Sequence, residues 1–173
     1  MRKNISYSIW IMPDGKAKSR LSKIILKLSE RYKSPKFKPH VTLIGGFTGE
    51  EKNLLAKTKK LSKSIKKFKI KLTKTAYLNE FFRALFILVR KDGTLAKNHE
   101  IAIKEFTLPK NKKYLPHLSL IYGNFSKKTK EDVIKNTGRV FNMKFEARSI
   151  YLVHCNEKDM EWTIIKKFPL KDY

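Results

Sequence analysis

The feature that most constrains this sequence is one short motif that occurs twice. Residues 39–46 have the sequence PHVTLIGG and residues 116–123 have PHLSLIYG, so five of eight positions are identical and two more are conservative. The chain has only 4 histidines, and two of them, His40 and His117, occupy the matched position. Matched contexts for such a rare residue indicate an internal duplication, and we expect each half to contribute one motif.

Each motif has the alternation of a half-buried strand. Side chains at positions i and i+2 of a strand share a face, so His40 lies beside Thr42 and His117 lies beside Ser119. The aliphatic residues between them point to the opposite face, where they can anchor the strand in a core. If the two strands are neighbours, both imidazole–hydroxyl pairs meet in one cleft.

Such a cleft suits phosphodiester hydrolysis. A neutral imidazole can deprotonate water and a protonated one can donate to the leaving oxygen, and a reference pKa near ~6.5 permits both forms around neutral pH. The hydroxyls can donate hydrogen bonds to the non-bridging phosphate oxygens in the transition state. The sequence therefore predicts catalytic roles for His40, Thr42, His117 and Ser119.

Other kinds of site fit the sequence less well. Zinc sites need three or four ligands as a rule, and neither motif has a carboxylate or another histidine nearby, so we predict no metal and no cofactor. A Ser-His-Asp triad is excluded for the same lack of a motif-linked acid. His99 and His154 are interpreted as structural or surface residues, and Cys155, the single cysteine, as an inert thiol.

Helical and strand periodicities alternate along the chain in a mixed order, which predicts an α+β fold. A capping box is expected before the second helix, with Thr48 at the N-cap and Glu51 at N3. The predicted helices cover about 17–33, the segment after Thr48, about 94–105 and about 129–139, and the predicted strands cover 7–12, 40–44, 68–72, 81–90, 117–122, about 143–154 and about 161–168.

The net charge of +25 has two explanations. A basic surface attracts polyanions such as RNA. Yet 33 of the 40 basic residues are Lys and only 7 are Arg, whereas a surface that grips phosphates usually uses the bidentate fork of Arg. The composition therefore favours drift toward lysine, as in an AT-rich genome, over a dedicated nucleic-acid surface.

Length and hydropathy limit the class of protein. The 173 residues suit one two-lobed domain spanning 1–173. No apolar run approaches the ~20 residues that cross a bilayer, and the first residues lack a signal-peptide pattern. We expect a monomer that binds no membrane, located in the cytoplasm, with the nucleus as the alternative.

Around its two motifs the chain resembles the 2H phosphoesterases, and more narrowly the cyclic phosphodiesterases of plants and fungi. Residues 7–14 resemble that family's first strand, and Phe81-Phe82-Arg83 is similar to the opening of a later one. The extended second motif, residues 114–122, carries the resemblance most strongly.

The resemblance implies a two-lobed, pseudo-symmetric fold with antiparallel sheets around a central cleft and helices on the outside. It implies metal-free hydrolysis of nucleoside 2′,3′-cyclic phosphates to 2′-phosphates, and of ADP-ribose 1″,2″-cyclic phosphate to ADP-ribose 1″-phosphate. Tyr122 corresponds to a tyrosine that lines the family's site, although its strand parity is opposite to that of His117. Trp10 and Phe82 are candidates for a wall against the nucleoside, with plain core aromatics as the alternative.

Two other functions remain open. A 2H enzyme acting on RNA ends or 2′,5′-linked oligonucleotides predicts a continuous basic track from the cleft, whereas a small-molecule enzyme predicts evenly spread lysines. A non-catalytic basic RNA-binding module is disfavoured because both histidines and both hydroxyls are intact.

Overall fold

The computed structural model describes residues 5–110 and 113–173. This part of the chain contains eight strands, four α-helices and one short 3₁₀ helix at Phe81–Arg83, and its last three strands are consecutive. The elements in chain order are β1 (Ile5–Ile11), α1 (Gly15–Tyr32), β2 (Val41–Phe47), α2 (Glu51–Ser64), β3 (Phe68–Ala76), β4 (Leu85–Val89), α3 (Thr94–Phe106), β5 (His117–Ile121), α4 (Lys127–Thr137), β6 (Val140–Ala147), β7 (Ser149–Asn156) and β8 (Glu161–Pro169).

The strands form one sheet in the order β6-β3-β4-β5-β2-β1-β7-β8, and every neighbouring pair is antiparallel. The two motif strands, β2 and β5, lie side by side at its centre, where Val41 pairs with Leu118. They divide the sheet into a first-motif half (β2, β1, β7, β8) and a second-motif half (β5, β4, β3, β6). The predicted α+β, pseudo-symmetric fold around a central cleft is confirmed.

The helices connect the halves crosswise. Helix α1 follows β1 but packs against β5 and β6, whereas α3 follows β4 and packs against β2. Helix α2 packs against β7 and β8. One hydrophobic core runs through both halves on this helix-covered side, and it includes Leu118 and Leu120 of the second motif. The motif histidines and hydroxyls therefore face the other, open side of the sheet.

Several element boundaries differ from those predicted. Strand β2 continues through Gly45 and Gly46 to Phe47, because its register against β1 shifts there and Gly46, at φ +74°, absorbs the extra residue. The capping box is wrong: α2 begins at Glu51 after Glu50, which makes no side-chain cap bond. The strand predicted over 81–90 opens as the 3₁₀ helix, and the one predicted over 143–154 is two strands separated at Arg148.

No helix within the described ranges is long and apolar enough to cross a membrane.

Candidate active site

The two motif histidines are held in the same way. His40 directly precedes β2 and His117 begins β5. In each case Nδ1 lies 2.7 Å from the carbonyl oxygen two residues earlier, that of Lys38 for His40 and that of Leu115 for His117. Because a carbonyl oxygen only accepts, Nδ1 carries the proton in both rings. In the neutral imidazoles Nε2 is therefore the acceptor, and it is the ring nitrogen left for a ligand.

Both imidazoles favour the neutral form. The pKa of His40 is lowered to about 4, mainly by burial and also by the charge of a protonated His117, against the opposing effect of the Lys38 carbonyl. The pKa of His117 is also lowered, first by burial and then by the positive charge of Arg83, against the Leu115 carbonyl and Glu80. At neutral pH the empty cleft thus presents two uncharged imidazoles.

An aromatic side chain from the neighbouring strand supports each imidazole. The indole of Trp10, on β1, stacks on His40 with 3.5 Å between ring centroids and 6° between planes. The ring of Phe86, on β4, lies 4.8 Å from that of His117 at 54°. Trp10 is opposite Thr42 and Phe86 is opposite Ser119, so the pseudo-symmetry extends to these supports.

This arrangement limits one predicted role. Trp10 also lines the cleft, but it is 3% exposed and one of its faces is covered by His40, so its main contact is with the imidazole.

The two hydroxyls differ in their partners. Ser119 Oγ donates to the carbonyl oxygen of Phe82 at 3.1 Å. Thr42 Oγ1 has no hydrogen-bond partner among the described residues. Thr42 is therefore ready to donate to a ligand, whereas Ser119 must first release Phe82.

The histidines and hydroxyls line one cleft of about 720 Å³, a size in the range of nucleotide-sized ligand pockets. Strand β5 ends at Ile121, so the alternation of side chains along the strand does not apply to Tyr122, which also lines the cleft. Its ring lies 5.2 Å from Phe82 and 5.5 Å from Trp162, both of which also line the cleft. Burial raises the pKa of Tyr122, which keeps its hydroxyl protonated.

Cationic side chains also reach the cleft. Arg83, Lys110 and Lys113 line it. Arg83 is paired with Glu80, its Nε donating to the carboxylate at 2.7 Å. Three cations thus line the cleft against one acid, Glu157, a positive bias that favours an anionic ligand.

Sequence reasoning missed two residues that hold the first motif strand. His99 Nδ1 donates to the carbonyl oxygen of Leu43 at 2.6 Å, and Tyr114 donates to that of Thr42 at 2.8 Å. The two rings stack at 3.7 Å. His99 comes from α3 and Tyr114 from the segment before β5, so only the folded chain brings them together. The sequence left His99 as a structural or surface residue; in the structure it is buried and supports β2.

The donor set gives no support for a metal centre: no group of three His, Cys, Asp or Glu side chains within residues 5–110 and 113–173 could hold a metal ion. Cys155 is buried, donates to Ser8 Oγ at 3.5 Å, and has its pKa raised by that burial. It therefore remains a protonated thiol.

Comparisons with known proteins agree with this geometry. The family model described as cyclic phosphodiesterase-like protein matches residues 5–170. The Arabidopsis thaliana protein named cyclic phosphodiesterase is 26% identical over 132 residues, which cover 73% of this chain and 70% of that protein. The crystal structure of E. coli LigT complexed with 3′-AMP superposes with a TM-score of 0.66 at 12% identity, covering 98% of this chain and 99% of that one. Kluyveromyces marxianus Usb1 has a TM-score of 0.54 at 12% identity, covering 97% and 99%.

Proposed function

Because the chain belongs to the cyclic phosphodiesterase-like family of 2H phosphoesterases, we propose that it hydrolyses cyclic phosphodiesters by acid–base catalysis between His40 and His117. The substrates are nucleoside 2′,3′-cyclic phosphates, opened to 2′-phosphates, and ADP-ribose 1″,2″-cyclic phosphate, opened to ADP-ribose 1″-phosphate. One observation carries the proposal. In both imidazoles Nδ1 donates to a backbone carbonyl oxygen at 2.7 Å, so the Nε2 atoms of both rings are available to a ligand in the same cleft.

The reaction needs one neutral and one protonated imidazole. Water attacks phosphorus while the neutral Nε2 takes its proton, and the bond from phosphorus to the ribose 3′ oxygen breaks as the other Nε2 protonates that oxygen. Both imidazoles are neutral in the empty cleft because their pKa values are lowered. An anionic phosphate raises the pKa of a nearby imidazole, so the substrate itself favours the charged acid.

The remaining groups bind the substrate. Thr42 Oγ1 donates to a non-bridging phosphate oxygen, and Ser119 does so after releasing the Phe82 carbonyl. Both hydrogen bonds stabilise the charge that develops on the phosphate in the transition state. The rings of Phe82, Tyr122 and Trp162 form the wall for the nucleoside. Trp162 was not predicted from the sequence. A fold relative crystallised with 3′-AMP, and in other crystals with NADP+ and ATP, supports a nucleotide-sized ligand.

A panel of substrates tests the proposal. The purified protein is incubated with 2′,3′-cyclic nucleotides and ADP-ribose 1″,2″-cyclic phosphate, with and without EDTA, and the products are assigned by phosphorus NMR. We expect 2′-phosphates and ADP-ribose 1″-phosphate at the same rate in EDTA. A large loss of rate in EDTA would contradict the metal-free mechanism. If no substrate in the panel is hydrolysed, the result would favour the non-catalytic binding module.

The pH profile tests the pair of imidazoles. Because kcat/KM requires one of them protonated and the other neutral, it should be bell-shaped. Both pKa values are lowered from 6.5, so the maximum of kcat/KM should lie below that pH. A profile that rises continuously through neutral pH would contradict a two-histidine mechanism.

A further inference from the structure

The open side of the second-motif half carries a row of cations. Along β3, Phe68, Ile70 and Leu72 are buried, and the lysines between them are exposed on the opposite face. We use the term basic face for the exposed cations on this side of β3, β4 and β6: Lys69, Lys71, Lys74, Arg90 and Lys144.

The strand registers place the basic face on the same side of the sheet as the catalytic groups. Residues directly opposite each other in antiparallel strands share a face. Lys71 is opposite Lys144, and the Arg90 amide donates to the Lys71 carbonyl. Two residues before Arg90, Leu88 is opposite His117. Charged side chains therefore extend from the outer strand β6 to the strand beside His117.

These cations have no competing partner in the described part of the chain, where none of the five takes part in an ion pair. One acid, Glu146, shares their side of the sheet, opposite Lys69. Its carboxylate is already bound by Arg148 Nε at 2.6 Å and by the Tyr173 hydroxyl at 2.7 Å. The basic face thus retains its charge for an external anion.

Lysine-rich composition alone does not explain the basic face, because the equivalent side of the first-motif half is different. There the open face is apolar and aromatic, with Trp10, Val153 and Cys155 buried and Trp162 and Ile164 packed against them. The same composition has placed mainly aromatic groups on one side of the motif strands, where Lys167 lies over the Tyr151 ring, and mainly cations on the other. Nucleic acid requires both, since bases stack on aromatic rings and phosphates pair with cations.

We propose that the basic face binds the phosphate backbone of a single-stranded RNA whose 3′-terminal 2′,3′-cyclic phosphate lies in the cleft. This inference rests on the proposed function and extends its substrate class from mononucleotides to RNA ends. A 2′,3′-cyclic phosphate needs a ribose 2′ oxygen and occupies the 3′ end, so the rest of the chain leaves the cleft from its 5′ side with one phosphate per nucleotide. Lysines act as point charges, so binding is independent of sequence.

The test compares two triple variants that remove equal charge. The variant K69Q/K71Q/K144Q neutralises the basic face, and K52Q/K59Q/K63Q removes three exposed lysines from α2 on the helix-covered side. Each is assayed on an RNA octamer with a cyclic 3′ end and on a 2′,3′-cyclic mononucleotide. Affinity for a 3′-phosphorylated octamer is measured by fluorescence anisotropy across a salt series.

We expect the basic-face variant to lose about tenfold or more in RNA affinity and in kcat/KM on RNA, with mononucleotide turnover unchanged. The slope of log K against log salt should fall by about two, because each phosphate contact on a single strand contributes about 0.7. The α2 variant should behave as the wild type in every assay.

Four results overturn the inference. Equal losses in both variants would show a general charge effect, and unchanged RNA binding by the basic-face variant with normal mononucleotide turnover would remove the RNA surface while leaving the proposed function intact. Binding to phosphatidylserine vesicles that depends on these lysines, with RNA unaffected, would assign the basic face to a lipid surface. If the wild type opens no cyclic phosphate at all, the proposed function fails and the RNA inference fails with it.

Discussion

The two motif histidines occupy equivalent positions but different surroundings. His40 is 7% exposed and stacks on the indole of Trp10, while His117 is half-buried and lies near the charges of Arg83 and Glu80. The backbone bond that fixes the tautomer is nevertheless the same in both, at 2.7 Å. The two motifs thus share the backbone hydrogen bond that orients each imidazole and differ in the neighbouring groups that shift its pKa.

Replacement of either histidine should therefore abolish turnover. We expect His40→Ala and His117→Ala each to lower kcat by about 10²–10⁴-fold, the usual contribution of one positioned acid or base. Far-UV circular dichroism and a urea titration should show that both variants still fold.

His154→Ala is the matched control. His154 is half-buried, with an edge contact to Tyr7 at 5.4 Å, and it does not line the cleft. This variant should keep wild-type turnover, and near-normal activity in either motif variant would contradict the paired mechanism.

The lowered pKa of His40 predicts how stability depends on pH. Between the folded value of about 4 and the ordinary 6.5, the unfolded chain binds this proton and the folded chain does not. The free energy of unfolding should therefore rise with pH across this window, by about 1.4 kcal/mol per unit from this one group, and decline as pH falls from 6.5 toward 4.

Urea unfolding at pH 7 and pH 5 measures this dependence. His40→Gln, which has no titrating ring, should show a smaller difference between the two pH values than the wild type. The same difference in both proteins would mean that His40 titrates normally in the folded state.

At the residue scale, the sequence predicted four side chains that meet in the cleft and missed those that only folding brings together. His40 directly precedes β2, Thr42 lies on it, and His117 and Ser119 lie on β5, so the short spacing within each motif was enough to place them. His99 and Tyr114 support the carbonyls of β2 from distant parts of the chain; Tyr114 lies in the extended second motif, but nothing in the local sequence predicts these contacts.

At the scale of elements, strand β2 depends on a close approach at Gly45. A Cβ built there would lie 2.8 Å from Ser8 Oγ on β1 and 3.3 Å from Thr42 Cγ2. Gly45→Ala should lower the free energy of unfolding by about 1–3 kcal/mol, the usual range for overpacking.

A double-mutant cycle locates the cause. Ser8→Ala removes the oxygen that is closest to the new methyl group. The double variant S8A/G45A should therefore lose less free energy of unfolding than the two single variants lose together. If urea unfolding shows that the two losses of free energy simply add, the contact between Ser8 and the new methyl group is not the cause of the destabilisation.

The element boundaries explain which predictions succeeded. Helices α1 and α3 have clear apolar periodicity and lie close to their predicted positions. The double glycine in β2 resembled a strand end but is a bulge, because the pairing with β1 continues to Phe47. The apolar run over 143–154 gave no sign of the break at Arg148. Before it, β6 pairs with β3, and after it, β7 pairs with β1 and β8.

For the whole molecule, the duplication is interleaved. Each repeat runs strand, helix, motif strand, helix, as β1-α1-β2-α2 and β4-α3-β5-α4. Helix α1 packs on the motif strand of the second repeat and α3 on that of the first, and one core spans both. Neither repeat can bury its own motif strand without a helix from the other.

This interdependence predicts one cooperative unfolding transition. Tryptophan fluorescence reports on the first-motif half, since Trp10 and Trp162 both lie there, whereas far-UV circular dichroism reports on both halves. The two signals should give coincident urea transitions with the same midpoint, as two-state unfolding requires. A fluorescence transition separated from the dichroism transition would show that the halves unfold independently. The cleft at their junction would then be held by the pairing of β2 with β5 and not by the crossed helices.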